Sequence, residues 1–492
     1  MNDTAKLEIS AIAAALTLGL LGDLLLRSFP WGLNFAVWVG ALAAAIGLLR
    51  HARREAFTEG GYWLLLLIVL CSLAFLWRDS DALNALDVLA LLTALSLLML
   101  RCQGRQLQVS SLMQYAFGSI IAGFNAAFGM FPLLLGKREW RSSVGSNPFR
   151  HGVAVLCGLA FSLPPLLIFG SLFMGADAVF KNIFIHFLRA VPSHFLVFAI
   201  ITFCVGGYLR GLLLGKEMNW VTGNFSSPLS LGVIEMAIML GLMDLLFLAF
   251  VVVQIRYFFG GAALVHGTTG LTYAEYARSG FFELLAVAAL LLPFLLLVHW
   301  LVPRDNAKAQ AWFRGLAGAQ ILLLSVIMAS AFQRMRLYQE QYGLSEQRLY
   351  PTAFMAWLAV VFVWFCLTVL RGHRERFAFG AMVAGFLLVA VLHAVNPDAL
   401  IARTNMARAR AGRTFDAHYL AGLSADSVPE IVAGLPTLKP GDRCTLANDL
   451  LLHWSSPQNP ELVSWTLSRS RALQAVKKNA SALRAAIAET KR

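Results

Sequence analysis

Residues 281–302 read FFELLAVAALLLPFLLLVHWLV, and this stretch decides the fold class. Its only ionisable side chains, Glu283 and His299, sit near its two ends. The hydrocarbon core of a bilayer, about 30 Å thick, is crossed by about 20 apolar residues of helix. In lipid every backbone polar group must be satisfied internally, so a run of this length and apolarity reads as a transmembrane helix. The same ruler finds ten more candidates, near 8–28, 32–50, 62–77, 82–100, 152–174, 195–215, 230–257, 315–336, 353–370 and 378–395. The fold expected is all-α: a polytopic transmembrane helix bundle of about eleven spans over residues 1–395, then a small helical C-terminal extracytoplasmic domain over 396–492. Composition agrees. The chain is 58% hydrophobic and 14% charged, against roughly a quarter charged in an average soluble domain. That excludes a disordered chain, a secreted disulfide scaffold and an ordinary cytosolic enzyme. The first stretch has the length of a signal peptide, but Asp23 and Arg27 stand where a small-residue cleavage site belongs, and a second span follows at once.

The formal charge of +13 raises the question of nucleic acid, and the location of the charge answers it. Seventeen Lys and Arg residues fall in or beside one set of loops, among them Arg50, Arg53, Arg101, Lys137, Arg150, Lys216, Arg304 and Arg371; the opposite set carries nine. Short loops rich in Lys and Arg stay cytoplasmic, so the bias places the N-terminus inside and, after eleven crossings, the tail outside. The charge is an orientation signal and offers no aromatic-interleaved surface for nucleic acid. One segment strains the count. Residues 109–135 (VSSLMQYAFGSIIAGFNAAFGMFPLLL) are long enough to span, yet both flanks are basic. An interfacial or re-entrant cytoplasmic element, taking in 109–150, fits better than a crossing.

In the tail, Asn396-Pro397 reads as an N-cap with proline at the first helical position. Ser427-x-x-Glu430 reads as a capping box. The six cysteines form no C-x-x-C pair and no spaced ligand set, so no metal and no other cofactor is expected. There is no H-E-x-x-H, phosphate loop or kinase set either.

Ionisable groups inside apolar spans are expensive and therefore functional candidates. Here they are Asp23, Asp87, Glu235, Asp244, Glu283, His299 and His393, with Arg210 and Arg256 nearer the ends. Glu235 and Asp244 lie nine residues apart, about 180° around a helix, and cannot share a pocket unless the helix breaks. Pro164 and Pro165 remove two backbone donors in GLAFSLPPLLIFGSLF, giving either a packing kink or a discontinuous helix of the kind that builds substrate sites. Gly207, Gly211 and Gly215 form a bare stripe suited to close helix packing. The outer loops add ADAVF with Asp177, the stretch 268–283 with Glu275, and YQEQYGLSEQRLY at 338–350 with Arg348 among tyrosines. The candidate substrate- or ion-binding residues are thus Asp177, Asp244, Glu275, Glu283 and Arg348: the carboxylates for cation attraction, the arginine for pairing with an anion or carboxylate.

Four of these stretches together, GLAFSLPPLLIFGSLFMGADAVF, LTYAEYARSGFFELLAVAAL, YGLSEQRLY and NPDALIARTN with FDAHYLAGLSADSVPEI, resemble the bacterial membrane families of unknown function numbered 4153 and 4173. The resemblance covers roughly residues 150–435 and leaves out the first four spans and the last helix. It implies a bacterial inner (cytoplasmic) membrane protein and supplies no activity, substrate or catalytic residue. The function expected is non-enzymatic handling of a small solute or cell-envelope component. An assembly or signalling scaffold whose tail binds an envelope protein is the alternative, and a lipid-linked glycosyl- or phosphotransferase the third. Beyond the lipid bilayer, the expected partners are that solute or envelope protein.

Overall fold

The computed structural model describes residues 3–53, 59–104, 112–135, 193–214, 232–269, 281–302, 306–454 and 462–490. The described elements are all helical. Ten of the described helices are long and apolar enough to cross a membrane. These ten coincide with ten of the eleven stretches read from the sequence; the other, 152–174, lies outside the described residues. Their outward faces carry half-exposed or exposed large apolar side chains, including Leu24, Leu48, Trp63, Leu242, Leu290 and Leu322. Water would penalise such a surface and lipid would not. The protein is a multi-pass membrane protein.

The chain divides into two compact units, Met1–Val221 with Asn459–Ser470, and Thr222–Gln458 with Arg471–Arg492. In the first, α1 (Asp3–Leu26), α2 (Leu33–Ala52), α3 (Glu59–Trp77) and α4 (Asp81–Cys102) run as successive hairpins. The α1–α2 turn is tied by Asn34, whose amide donates to the Ser28 and Leu25 carbonyls at 2.6 and 3.1 Å and whose oxygen accepts from Gly32 N–H at 2.7 Å. A further helix, α7 (Ser193–Leu214), packs along α1. Gly19 is what allows that approach, since a Cβ there would collide with the Thr202 side chain and come within 3.2 Å of the Phe198 carbonyl.

Within the segment 109–135, residues 112–135 form α5 (Leu112–Phe128), broken at Gly129 before the short α6 (Met130–Leu135). Tyr115, Gly118, Ala122, Asn125 and Gly129 recur at helical spacing as its buried face. Gly118 lies against Leu100, at the end of α4, while Met130 lies against Gly206, which also faces Ala15. Phe131 stacks edge-on with Phe203 at 4.6 Å between ring centroids. Ala15 and Phe203 are mid-helix positions of α1 and α7, so the segment passes from the end of α4 to the middle of the bundle. Bare backbone makes this possible. A Cβ on Gly129 would lie 2.6 Å from the Gly207 carbonyl oxygen, and one on Gly211 would lie 2.9 Å from the Asn125 side chain.

The second unit holds α8 (Val233–Thr269), α9 (Phe281–Leu301), α10 (Ala307–Tyr342), α11 (Glu346–Thr368) and α12 (Phe377–Val395) around one apolar core. At 36 residues, α10 is about 54 Å long, well beyond a bilayer core, so its last turns stand clear of the hydrocarbon. Its end was expected within a loop at 338–350; instead the helix continues to Tyr342 and stops at Gly343, whose φ of 81° suits a residue without Cβ.

The tail consists of α13 (Pro397–Arg410), α14 (Ala417–Ala421), α15 (Val428–Gly434), α16 (Pro440–Trp454), α17 (Leu467–Lys478) and α18 (Ala480–Thr490). Asn396 caps α13, accepting from Ala399 N–H at 3.4 Å, with Pro397 in the first turn. The expected capping box at Ser427 and Glu430 is not formed, although a helix does start there. Ser427 Oγ donates to the Ser424 carbonyl at 2.8 Å, and Glu430 pairs with Arg403 at 2.6 Å. A guanidinium partner outcompetes a backbone amide for the carboxylate. The tail has its own core, and Leu344, from the α10–α11 linker, belongs to it.

A piece of the tail belongs to the first unit. Arg469 pairs with Asp79 and donates to the Ser464 carbonyl at 3.0 Å. Ser468 donates to the Trp77 carbonyl at 2.8 Å, and Leu33 N–H donates to the Trp465 carbonyl at 3.1 Å. A Cβ on Gly32 would lie 2.6 Å from that same carbonyl oxygen. Residues 462–470 are therefore fastened to the α1–α2 and α3–α4 loops.

Candidate functional site

The last carbonyls of a helix have no intrahelical donor, and at the end of α10 arginines supply them. Arg408 donates to Glu340 O at 2.5 Å and to Gln341 O at 2.8 Å. Arg413 donates to Glu340 O at 2.9 Å. Arg348 donates to Gly343 O at 2.5 Å and Tyr342 O at 3.2 Å, with its guanidinium 4.3 Å above the Tyr338 ring. Three cations thus meet at the negative end of one helix dipole, a favourable placement that offsets their mutual repulsion. Burial lowers the Arg408 guanidinium from its ordinary value, and the neighbouring Arg413 and Arg348 lower it further.

The linker itself is held by Asn405, whose oxygen accepts from Leu344 N–H at 2.9 Å and whose amide donates to the Leu344 carbonyl at 2.8 Å. Tyr419 Oη accepts from Glu346 N–H at 2.9 Å, and burial pushes its phenol up. Asp416 caps α14 by accepting from Tyr419 N–H at 2.9 Å. These contacts surround a cavity of about 320 Å³ between the α10–α11 linker and the tail. Arg348, Glu346, Asp416 and Tyr419 give its wall both charge signs and a phenol; Phe415 and Leu344 give it an apolar side. The arrangement suits a small molecule with polar and apolar parts.

Of the sequence candidates, Arg348 lines this cavity. Asp244 and Glu283 do not; Asp244 lies in the middle of α8, and Glu283 is exposed at the start of α9. Asp177, Glu275, Pro164, Pro165 and Gly215 lie outside the described residues. Gly207 and Gly211 lie against Asn125. The sequence reading missed Asn405, Asp416 and Tyr419. Their signal was the motif pair NPDALIARTN and FDAHYLA, which contains all three but says nothing of its distance from 342–348. A second polar cluster joins α1 to α7: Asp23 is 2.8 Å from His194 Nδ1 and 3.8 Å from Arg27, and Arg27 donates to Ser193 Oγ at 2.8 Å. Among the described residues no three His, Cys, Asp or Glu side chains are placed to hold a metal.

The profile of the family described as Domain of unknown function (DUF4153) matches residues 65–434. The chain belongs to this family. The DUF4153 match begins earlier than the sequence motifs suggested, taking in α4 and most of α3, and every residue lining the cavity falls within it. No curated protein and no solved structure matches the chain.

Proposed function

We propose that this DUF4153 protein handles a small solute or cell-envelope component, which it binds in the cavity between the α10–α11 linker and the tail. The carrying observation is the cavity itself, whose walls combine Arg348, Glu346 and Asp416 with aromatic surface. We place the protein in the bacterial inner membrane, N-terminus cytoplasmic and tail outside. Two observations support that orientation. Residues 462–470 contact the α1–α2 and α3–α4 loops, and Asn405 and Tyr419 contact the α10–α11 linker. All three of these connections belong to the set poor in Lys and Arg, which marks the outer side.

The test is a cellular uptake and export screen comparing wild type with Glu346→Gln and Gln347→Trp, the second adding bulk at a lining residue exposed to solvent. The expected result is a solute-specific phenotype shared by both variants at normal expression. No solute phenotype in either, with both normally expressed, refutes the reading. A second reading, an envelope scaffold, draws on the fastening of the tail to bundle loops and on the exposure of Trp465 and Leu452. Full loss of function on tail mutation, with cavity variants silent, would favour it.

A further inference from the structure

The α8 helix carries a carboxylic acid in the middle of its apolar run, and among the described residues the packing around it offers no counterpart to a charge. Asp244 is the twelfth residue of α8, inside the span Val233–Val253. It falls on the stripe Met236, Leu240, Phe247 and Val251, which is buried in the core shared with α10. Both carboxyl oxygens are closed off from solvent, and neither has a hydrogen-bond partner among the described residues. The other acids of the spans are placed differently: Asp23 is paired with His194 and Arg27, the buried Glu8 and Asp87 each have an interaction partner, and Glu235 and Glu283 are exposed. The helix packed against α8 supplies a second anomaly. Gln320 of α10 is fully buried among Ala317, Ile321 and Leu324, and both its amide oxygen and its amide nitrogen lack partners among the described residues. The buried face of α10 otherwise carries Ser330 as its polar side chain and no charged one.

An unpaired carboxylate in an apolar interior costs far more than a neutral acid left without a hydrogen bond. Each buried polar group left unsatisfied calls for an explanation such as a bound ion, a water or a role in mechanism. A hard metal cation would need six or more oxygen ligands, and one carboxyl plus one amide fall well short. A proton needs one oxygen. Carboxyl groups that face the interior of a helix bundle are also where membrane proteins build proton relays.

We propose that Asp244 is an intramembrane proton-binding site: the carboxylate takes up one proton to become the neutral acid and returns it as a carboxylate and a free proton. This goes beyond the solute cavity and does not depend on it.

The experiment uses the full chain in native membranes, treated with dicyclohexylcarbodiimide, an apolar reagent that modifies protonated carboxyls, and separately with a water-soluble carbodiimide; peptides are mapped by mass spectrometry. Asp244 is expected to react with the apolar reagent and not the soluble one, while Glu235 and Glu283 react with the soluble one. Labelling should fall toward alkaline pH, about ten-fold per pH unit once the site begins to empty, and vanish in Asp244→Asn. Three outcomes overturn the proposal: no labelling of Asp244 at acid pH in the folded protein, equal labelling by the soluble reagent, or protection by sodium, potassium or calcium at constant pH.

Discussion

Removing the side chain of Asn405 tests how the tail is joined to the bundle. In the native protein this one amide satisfies both backbone groups of Leu344, at 2.9 and 2.8 Å, in a buried setting. Asn405→Ala leaves a buried N–H and a buried C=O without partners. Each such orphan costs about 1–3 kcal/mol; water entering from the adjacent cavity would relieve part of this, so the expected loss is about 2–4 kcal/mol. The consequence is local, because Leu344 is the bundle's contribution to the tail core. Amide hydrogen exchange reads it directly: protection of Leu344 N–H should fall about 30- to 900-fold. Amides in the middle of α11, far from the linker, should exchange as before. Asn405→Asp keeps the acceptor for Leu344 N–H but sets a buried carboxylate oxygen against the Leu344 carbonyl, so it should not restore the native protection. A change of less than about 0.5 kcal/mol in Asn405→Ala would refute the claim that these two bonds hold the linker to the tail.

Other perturbations probe the remaining contacts. Gly129→Ala places a Cβ 2.6 Å from the Gly207 carbonyl oxygen, and a clash of backbone with side chain should destabilise the first unit by about 1–3 kcal/mol, read as a lower aggregation temperature. Gly40→Ala, where a Cβ meets nothing within 4 Å, should be neutral or stabilising by up to about 1 kcal/mol. Arg469→Ala breaks the pair with Asp79 and the bond to Ser464 O; limited proteolysis should then cut between 462 and 470 faster than in wild type, and an unchanged rate would show that Ser468 and the Trp465 carbonyl suffice. Arg348→Lys keeps the charge but loses the forked donor and the flat face over Tyr338, so it should weaken solute binding in the cavity without changing expression.

The family and the membrane class were legible because both rest on local pattern. An apolar run of twenty residues in a bilayer has no alternative to a helix, whatever its neighbours, so ten spans could be placed to within a few residues, apart from α8 and α10, which outrun the bilayer, and the start of α11. Asn396-Pro397 marked a helix start for the same reason, since a cap acts within four residues. Ser427-x-x-Glu430 located a helix start but misassigned its bonds, because Arg403 lies 27 residues away in sequence and next door in space. The spacing of Glu235 and Asp244 correctly kept them apart on the helix, yet could not say that one would be exposed and the other would have its carboxyl oxygens closed off from solvent.

What the sequence alone determined is that the chain is a multi-pass helical membrane protein and where ten of its spans lie, because hydropathy is summed residue by residue. What only the tertiary structure decided is where the tail goes. Arg469 meets Asp79 across 390 residues and Asn405 meets Leu344 across 61, and no local preference encodes either partner. Those bonds form because buried polar groups must be satisfied by whatever donor or acceptor the packed helices bring within reach, and that is settled only when the helices have packed.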